Sequence, residues 1–578
     1  MEKQQPIYTE KTECQDCCKC VRKCPVKAIR VENGSAMVMP DRCVACGTCV
    51  AVCPVGAKRV RDDLGRVRHL LRSGARVYAS LAPSFVSDFT DVSADVLIAA
   101  LRKLGFAGVS ETALGAQEVS ATLRHELRDQ TPRVIISSAC PTIVELIGKY
   151  LPERLADVTD LCSPLLAHSR LLKQELGEDA RVVFIGPCIA KKIEADSFGD
   201  LVDIAISFRD LREWMEEDGI DLQQMTSGPE DRFVPGPAKE GALYPVDGGM
   251  IAGIQADCTV HDAHFMAFSG VDSVVKALDE MQSLPLTKPV FLELLACEGG
   301  CVNGPQAAGQ CATIAKRHRV IDYTEYDPAT IAETPVVDVA LIRAVTPVDQ
   351  VEHGEDDVLE ALRMVGKYTA EDELNCGGCG YADCREFAEA LLDGKAEPTM
   401  CISYMKKLAQ KKANALIQTM PSGVVIVQRN LRIVECNQRF AELMGPDAVL
   451  CHEANPGLEG ALLPKVAPFF AGFFERVLEG GEEVLDRDVE HANTVYRMSI
   501  FTIERHRIVG GIIQDITEPA VQKEQVIREA QDVIHKHLTT VQKIAYLLGE
   551  NAAESQISLN AIIDSFSPKS IDDQGKER

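Results

Sequence analysis

The sequence predicts a multidomain α/β protein: a small cysteine-rich domain, a large α/β domain with largely parallel strands, a second small cysteine-rich domain, an α+β domain and a C-terminal helix. Three observations predict it. A chain of 578 residues suggests about three to five domains, and a hydrophobic content of 46% can supply a core to each. Of the 22 cysteines, sixteen fall in recurrent cysteine-bearing segments, and Cys18, Cys162, Cys258, Cys311, Cys436 and Cys451 remain outside them. Between the clusters, apolar runs such as VYASLAP, VIIS, VVFIG and VFLELLA alternate with stretches of helical period, as strands joined by crossover helices do.

Charge and composition narrow the function. The net charge of −25 argues against a nucleic-acid or acidic-membrane partner. No run of about 18 apolar residues is present, so no transmembrane helix is expected. The N-terminus MEKQQPIYTEKTEC lacks the apolar stretch of a signal peptide. A cytoplasmic setting is expected, where so many thiols stay reduced and bind metal rather than form disulfides.

Residues 1–60 carry Cys14-x2-Cys17-x2-Cys20-x3-Cys24-Pro25, repeated as Cys43-x2-Cys46-x2-Cys49-x3-Cys53-Pro54. This spacing marks a bacterial-type ferredoxin domain with two clusters, the fourth cysteine of each run serving the other cluster. One [4Fe–4S] cluster takes Cys14, Cys17, Cys20 and Cys53; the other takes Cys43, Cys46, Cys49 and Cys24. Structural zinc would use one tetrahedral set per metal and would not need the prolines. Cys18 lies outside the pattern and reads as a small buried hydrophobe.

Residues 61–355 form the large α/β domain. The basic stretch 59–75 reads as a linking helix and Val77 opens a buried strand. Val96, Leu97, Ala99, Leu101 and Leu104 recur at helical spacing, and Val144–Tyr150 and Leu211–Asp218 read as helices. Three segments carry chemistry: IISSACP (135–141), FIGPCIAKKIEAD (184–196) and FLELLACEGGCVNGPQ (291–306). In the last, Gly299, Gly300 and Gly304 let the backbone turn and approach a bulky ligand around Cys297 and Cys301. Four thiolates from three distant segments can hold a [4Fe–4S] cluster, and cysteines at strand ends suit the crevices of an α/β sheet.

In order and spacing these three segments resemble the signature segments of [FeFe]-hydrogenases, over roughly Val77–Asp322. The resemblance implies that Cys140, Cys188, Cys297 and Cys301 hold the [4Fe–4S] part of an H-cluster. Cys301 would bridge to a two-iron subcluster carrying CO, cyanide and a dithiolate. Lys191 would donate to a cyanide ligand, and Ala82-Pro83-Ser84 resembles the other cyanide-contacting loop.

The departures from the family pattern matter as much. The family has a proton-shuttling cysteine where this chain has Ala139. It has methionines where this chain has Gly186 and Leu295. Its relay glutamates and serine map to Leu123, Glu126 and Thr159, with Cys162 near in sequence as a substitute relay. Glu145, Glu293 and Glu298 are further carboxylates that offer a proton route. The ligands are spared and proton transfer is hit, so slow turnover is expected, since a positioned relay is worth roughly 10²–10⁴-fold.

Residues 356–411 contain Cys376-x2-Cys379-x4-Cys384 and then Cys401. They resemble the small [4Fe–4S] domain of corrinoid proteins and certain hydrogenases, zinc being the competing metal. Residues 412–518, with LIQTMPSGVVIVQRNLRIVECNQRFAELMG and a closing Asp515-Ile516-Thr517, resemble a PAS sensor domain. Its Cys436, Cys451, His452 and His491 could touch a bound haem or flavin, but such isolated side chains are more often structural or solvated. Residues 519–578 carry Ile527, Ile534, Val541 and Leu548 at heptad spacing, a signalling helix or short coiled coil with a polar tail.

Together these features resemble the sensory, PAS-containing [FeFe]-hydrogenases. The resemblance implies an H-cluster and three further [4Fe–4S] clusters in an anaerobic cell, with H₂ and protons as reactants. It also implies a ferredoxin-type redox partner and a regulatory kinase or phosphatase reached through the PAS domain; PAS domains and coiled coils often pair, so a homodimer is open as well. The competing readings are a metabolic ferredoxin-linked hydrogenase and a non-enzymatic iron–sulfur relay without the diiron site.

Overall fold

The computed structural model describes residues 5–517, apart from 130, 258, 259, 261, 282–284, 310, 344, 350 and 493, together with 533, 536 and 537. The expected C-terminal helix and Cys258 therefore fall almost wholly outside the described residues. The chain divides into two compact units, Met1–Glu397 and Pro398–Arg578. The ferredoxin-like segment, the large α/β segment and Cys376, Cys379 and Cys384 thus share the first unit, while Cys401 belongs to the second.

The N-terminal segment is a doubled motif. Helices Lys19–Lys23 and Thr48–Val52 follow the two CxxC turns, and the hairpin Ile29–Glu32/Ser35–Val38 lies between them. The strands Ile7–Thr9 and Lys58–Val60 pair antiparallel and close the segment. Cys18 and Gly47 occupy the same place in the two repeats, both in left-handed backbone at a helix start. Cys18 is 2% exposed, as a small core residue should be.

The large segment holds two parallel sheets. One runs in the order Gly108–Glu111, Val77–Leu81, Arg181–Gly186, Ile204–Ser207; the other His264–Ser269, Val290–Leu295, Val134–Ile136. Most of these strands are buried on both faces, which explains their unbroken apolar runs. Two apolar cores form, one on each sheet. Ala139 packs against the first and its neighbour Cys140 against the second, so the Cys140 segment crosses the seam between them. The 59–75 stretch resolves into the strand Lys58–Val60 and the helix Leu64–Arg72.

The second unit carries the helix Ile402–Thr419 and a five-stranded antiparallel sheet in the order Ile433–Cys436, Gly423–Gln428, Ile508–Asp515, Thr494–Glu504, Val484–His491. Helix Pro468–Gly480 packs Phe470, Phe474 and Val477 into its core. Asn437 organises the entry. Its Oδ1 accepts from the N–H groups of Val424 (2.8 Å) and Phe440 (2.9 Å), and its Nδ2 donates to the carbonyls of Ile417 (2.9 Å) and Ser422 (2.8 Å). Strand Val484–His491 has no apolar alternation, being mostly exposed, and sequence pattern alone does not reveal it. Among the described residues no helix is long and apolar enough to cross a membrane.

Candidate metal centre

Four loops meet at the C-terminal ends of strands drawn from both sheets, the position where open α/β sheets leave a crevice. Ala82, Pro83 and Ser84 follow Val77–Leu81; Ala139 and Cys140 follow Val134–Ile136; Cys188 and Lys191 follow Arg181–Gly186; Cys297 and Cys301 follow Val290–Leu295. Cys140 also caps helix Pro141–Tyr150, whose first residue, a proline, is well suited to a helix start. All of these except Cys297 line one cavity of about 110 Å³, together with Tyr244, Met250 and Glu293. Cys297 completes the set from the side of the ferredoxin-like segment, sharing a crevice with Cys46, Gly47 and Pro305.

The four thiols are enclosed by protein, and the surface that Cys140, Cys188 and Cys301 retain faces the cavity. Burial pushes all four above the ordinary thiol range, Cys188 to about 11, and the Cys188, Cys297 and Cys301 thiols are raised further by the thiols beside them. Such a set is costly as free thiolates and favourable once a cation shares the charge. Gly300, at φ +98°, brings its backbone against Pro245; a Cβ there would lie 2.5 Å from the Pro245 carbonyl oxygen.

Lys191 is fixed at the wall. Its Nζ donates to Ser163 Oγ (2.8 Å) and Glu194 Oε2 (2.5 Å), and Ser163 donates to the same carboxylate (2.9 Å). On the wall of the same cavity, the Ser84 hydroxyl is buried with no hydrogen-bond partner among the described residues. An unsatisfied buried hydroxyl costs about 1–3 kcal/mol, so its partner is to be sought in what the cavity holds. Four thiols, an ammonium and an orphaned donor fit an iron–sulfur group with anionic ligands.

Two departures from the family pattern have local explanations. At Gly186 a Cβ would meet the Phe184 ring at 2.5 Å and Ala82 at 2.8 Å, so Phe184 fills the space a larger residue would take. Leu295 lines the cavity directly.

Ala139 is at the cavity wall, but Glu126, Thr159 and Cys162 are not among the residues that line it. Thr159 donates to Ser138 Oγ (3.0 Å), and Ser138 is tied to the Leu161 carbonyl (2.7 Å). Cys162 is wholly buried, and burial pushes its thiol up to about 11. Glu126 is half-buried near Arg133 and Asp160. Glu293 is the carboxyl that does line the cavity. It accepts from the N–H groups of Gly248 (3.1 Å) and Ile251 (3.0 Å), and burial still pushes it up to about 7. Its place in an apolar strand, where a carboxylate has no reason to be, is the sequence signal for it.

The ferredoxin-like segment abuts this centre. A Cβ on Gly47 would lie 2.4 Å from Pro305 and 2.9 Å from Ile189. Helix Pro141–Tyr150 ends on it, Lys149 Nζ donating to the Cys43 carbonyl (2.9 Å) and Tyr150 to the Arg42 carbonyl (2.6 Å).

Residues 75–305 match the family described as iron only hydrogenase large subunit, C-terminal domain. Residues 36–59 match a 4Fe-4S binding domain, residues 372–403 a putative Fe-S cluster domain, and residues 412–483 a PAS domain. The chain is 23% identical to iron hydrogenase 1 of Clostridium pasteurianum over 300 residues, which is 42% of this chain and 52% of that protein. It is 24% identical to the periplasmic [Fe] hydrogenase large subunit of Nitratidesulfovibrio vulgaris over 293 residues, or 42% of this chain and 68% of that one. It thus spans about half the length of the first relative. A solved variant of [FeFe]-hydrogenase HydA1 from Chlamydomonas reinhardtii superposes at a TM-score of 0.39 and 17% identity, covering 50% of this chain and 99% of that one. The PAS domain of Bordetella pertussis BvgS superposes at 0.15 and 16%, covering 23% and 98%. The matched domains and the thiol-lined cavity define a multidomain iron–sulfur protein. More narrowly, the chain is a PAS-containing, [FeFe]-hydrogenase-like protein.

Proposed function

We propose that the chain interconverts H₂ with protons and electrons at an H-cluster, turns over slowly, and serves as an H₂ or redox sensor that signals through its PAS domain. The observation that carries this reading is a cavity lined by Cys140, Cys188, Cys301, Lys191 and Ser84, with Ala139 where the family has a proton carrier. When bound, the H-cluster supplies the heterolytic chemistry of H₂. Cys140, Cys188, Cys297 and Cys301 would hold it. The Lys191 ammonium, anchored by Glu194, and the Ser84 hydroxyl would donate to its anionic ligands. The Ala139 methyl can neither take nor give a proton. Glu293, held near neutrality by burial, is the carboxyl placed to do so.

The second unit supports the sensory half. Cys401, the expected fourth ligand of the small cluster with Cys376, Cys379 and Cys384, caps helix Ile402–Thr419. The far end of that helix is held by Asn437 at the start of the PAS sheet. A change at Cys401 is therefore one helix away from the sensor domain. The further parts of the reading are a ferredoxin-type redox partner, a kinase or phosphatase in trans, a possible homodimer and a cytoplasmic location.

The test is infrared spectroscopy of anaerobically matured protein under H₂ and then under inert gas. Reversible shifts of CO and cyanide bands are expected. Bound iron without such bands would reject the hydrogenase reading. Identical exchange or proteolysis patterns of the PAS unit under H₂ and under oxidant would reject the signalling half.

A further inference from the structure

The sequence places Cys376, Cys379 and Cys384 more than 300 residues from the N-terminal cysteines, yet the fold sets the loop that bears them on the ferredoxin-like segment. Arg22 Nη2 donates to the Gly378 carbonyl (3.2 Å) and Lys27 Nζ to the Gly380 carbonyl (2.7 Å). Lys27 also stands over the Tyr381 ring, 5.6 Å from its centroid. A Cβ on Gly380 would lie 3.0 Å from Val21 Cγ1 and 3.1 Å from the Arg22 nitrogen, so the loop backbone rests on helix Lys19–Lys23 itself. A second attachment follows, the Val31 N–H donating to the Lys395 carbonyl (2.9 Å) and the Asn33 N–H to Glu397 (2.7 Å).

This helix carries Cys20 and follows Cys17 and Cys18. Cys379 lies between Gly378 and Gly380, whose carbonyls accept from Arg22 and Lys27. The other ferredoxin-type set is engaged on the opposite business, with Cys46 in the crevice of Cys297. Each of the two sets thus has its own neighbour.

We propose that the Cys376–Cys384 loop is the resident redox partner of the set Cys14, Cys17, Cys20 and Cys53, so that the cysteine sets of the first unit, with Cys376, Cys379 and Cys384 as its share of the small-domain set, are arranged in series. The order is the cavity set, then Cys43, Cys46, Cys49 and Cys24, then Cys14, Cys17, Cys20 and Cys53, then the small-domain set. A reading of the sequence alone puts cluster domains at the two ends of the hydrogenase-like domain; the fold folds one end back on the other. The inference rests on the reading that these sets hold [4Fe–4S] clusters. Each exchange moves one electron, oxidising one cluster as its neighbour is reduced, with no proton or group transferred. The electrons come two at a time from H₂, which releases two protons, or singly from dithionite. The face of helix Lys19–Lys23 on which the loop rests is thereby closed to a separate redox protein. Arg22 and Lys27 act here as positioning residues.

The experiment uses the full chain, loaded with clusters and reduced with dithionite, and reads electron paramagnetic resonance together with iron content. The signal of the first ferredoxin-type cluster is expected to be broadened by a paramagnetic neighbour, and Cys384→Ser, which removes that neighbour, should narrow it. The double variant Arg22→Ala with Lys27→Ala, and separately Gly380→Val, should keep the iron content and lose the broadening. A signal unchanged by Cys384→Ser, or broadening retained in both interface variants while hydrogen exchange shows the loop opened, would overturn the series arrangement. A wild-type iron content short of the small-domain cluster would instead overturn the cluster assignment on which the proposal rests.

Discussion

Replacing Glu293 by Gln removes one proton-binding group from the cavity while keeping its shape. Glu293 is 1% exposed, and burial outweighs the two N–H groups it accepts from, so its carboxyl sits at about 7 instead of 4.5. At 1.36 kcal/mol per pH unit, ionising it in the fold costs about 3 kcal/mol more than in the unfolded chain. The fold therefore binds this proton more tightly. Its contribution to stability is whole below about 4.5 and is lost as pH rises through about 7. Glu111, Glu118 and Glu240 are raised by burial as well and act in the same direction, so the informative quantity is the difference between wild type and variant. The variant must turn an amide N–H₂ toward one backbone N–H, which costs about 1–3 kcal/mol. Glu293→Gln is thus expected to be less stable than wild type near pH 5, with the gap closing or reversing by pH 8. The assay is anaerobic urea unfolding of the cluster-free, reduced chain, followed by the fluorescence of the single tryptophan, Trp214, buried in the first unit. Parallel stability curves for the two proteins across pH 5–8 would refute the reasoning. In matured protein the same substitution should lower turnover by about 10²-fold or more and abolish an inflection near pH 7.

Further outcomes follow from the same contacts. Lys191→Ala leaves the Glu194 carboxylate buried without its cation and should destabilise the first unit by about 3–5 kcal/mol in the same unfolding assay. Ala139→Cys supplies a thiol at the cavity wall, but Thr159 is committed to Ser138 Oγ, and the buried, apolar Leu123 stands where the family pattern has a relay glutamate. Turnover, measured as H₂ evolution with a chemical reductant, should therefore rise far less than the roughly 10²–10⁴-fold a complete relay would give. Asn437→Ala strands the N–H groups of Val424 and Phe440 and the carbonyls of Ile417 and Ser422, and should lower the stability of the second unit by about 3 kcal/mol on thermal unfolding.

What the sequence determined by itself is the chemistry and its local frame. Cysteine spacing is a covalent fact, so the doubled Cys-x2-Cys-x2-Cys-x3-Cys-Pro runs and the Cys376 group are legible without a fold. Strands buried on both faces announce themselves as unbroken apolar runs, and the Val77, Arg181 and Val290 strands are where those runs lie. The mostly exposed Val484–His491 strand has no such pattern and is invisible for that reason. Tertiary structure alone decided what stands beside what. Resemblance to the family put Glu126 and Thr159 forward as relays, and nearness in sequence put Cys162 forward, yet whether a side chain reaches a cavity depends on the packing of two sheets against each other. That packing brings Glu293 to the wall and leaves the other three off it. It fills the space at Gly186 with Phe184 and leaves the Ser84 hydroxyl without a partner among the described residues. It also seats the loop of Cys379 on the helix of Cys20, across more than 300 residues of sequence. Spacing along a chain fixes which groups one turn can present together. Only the folding of distant turns onto one another fixes their partners.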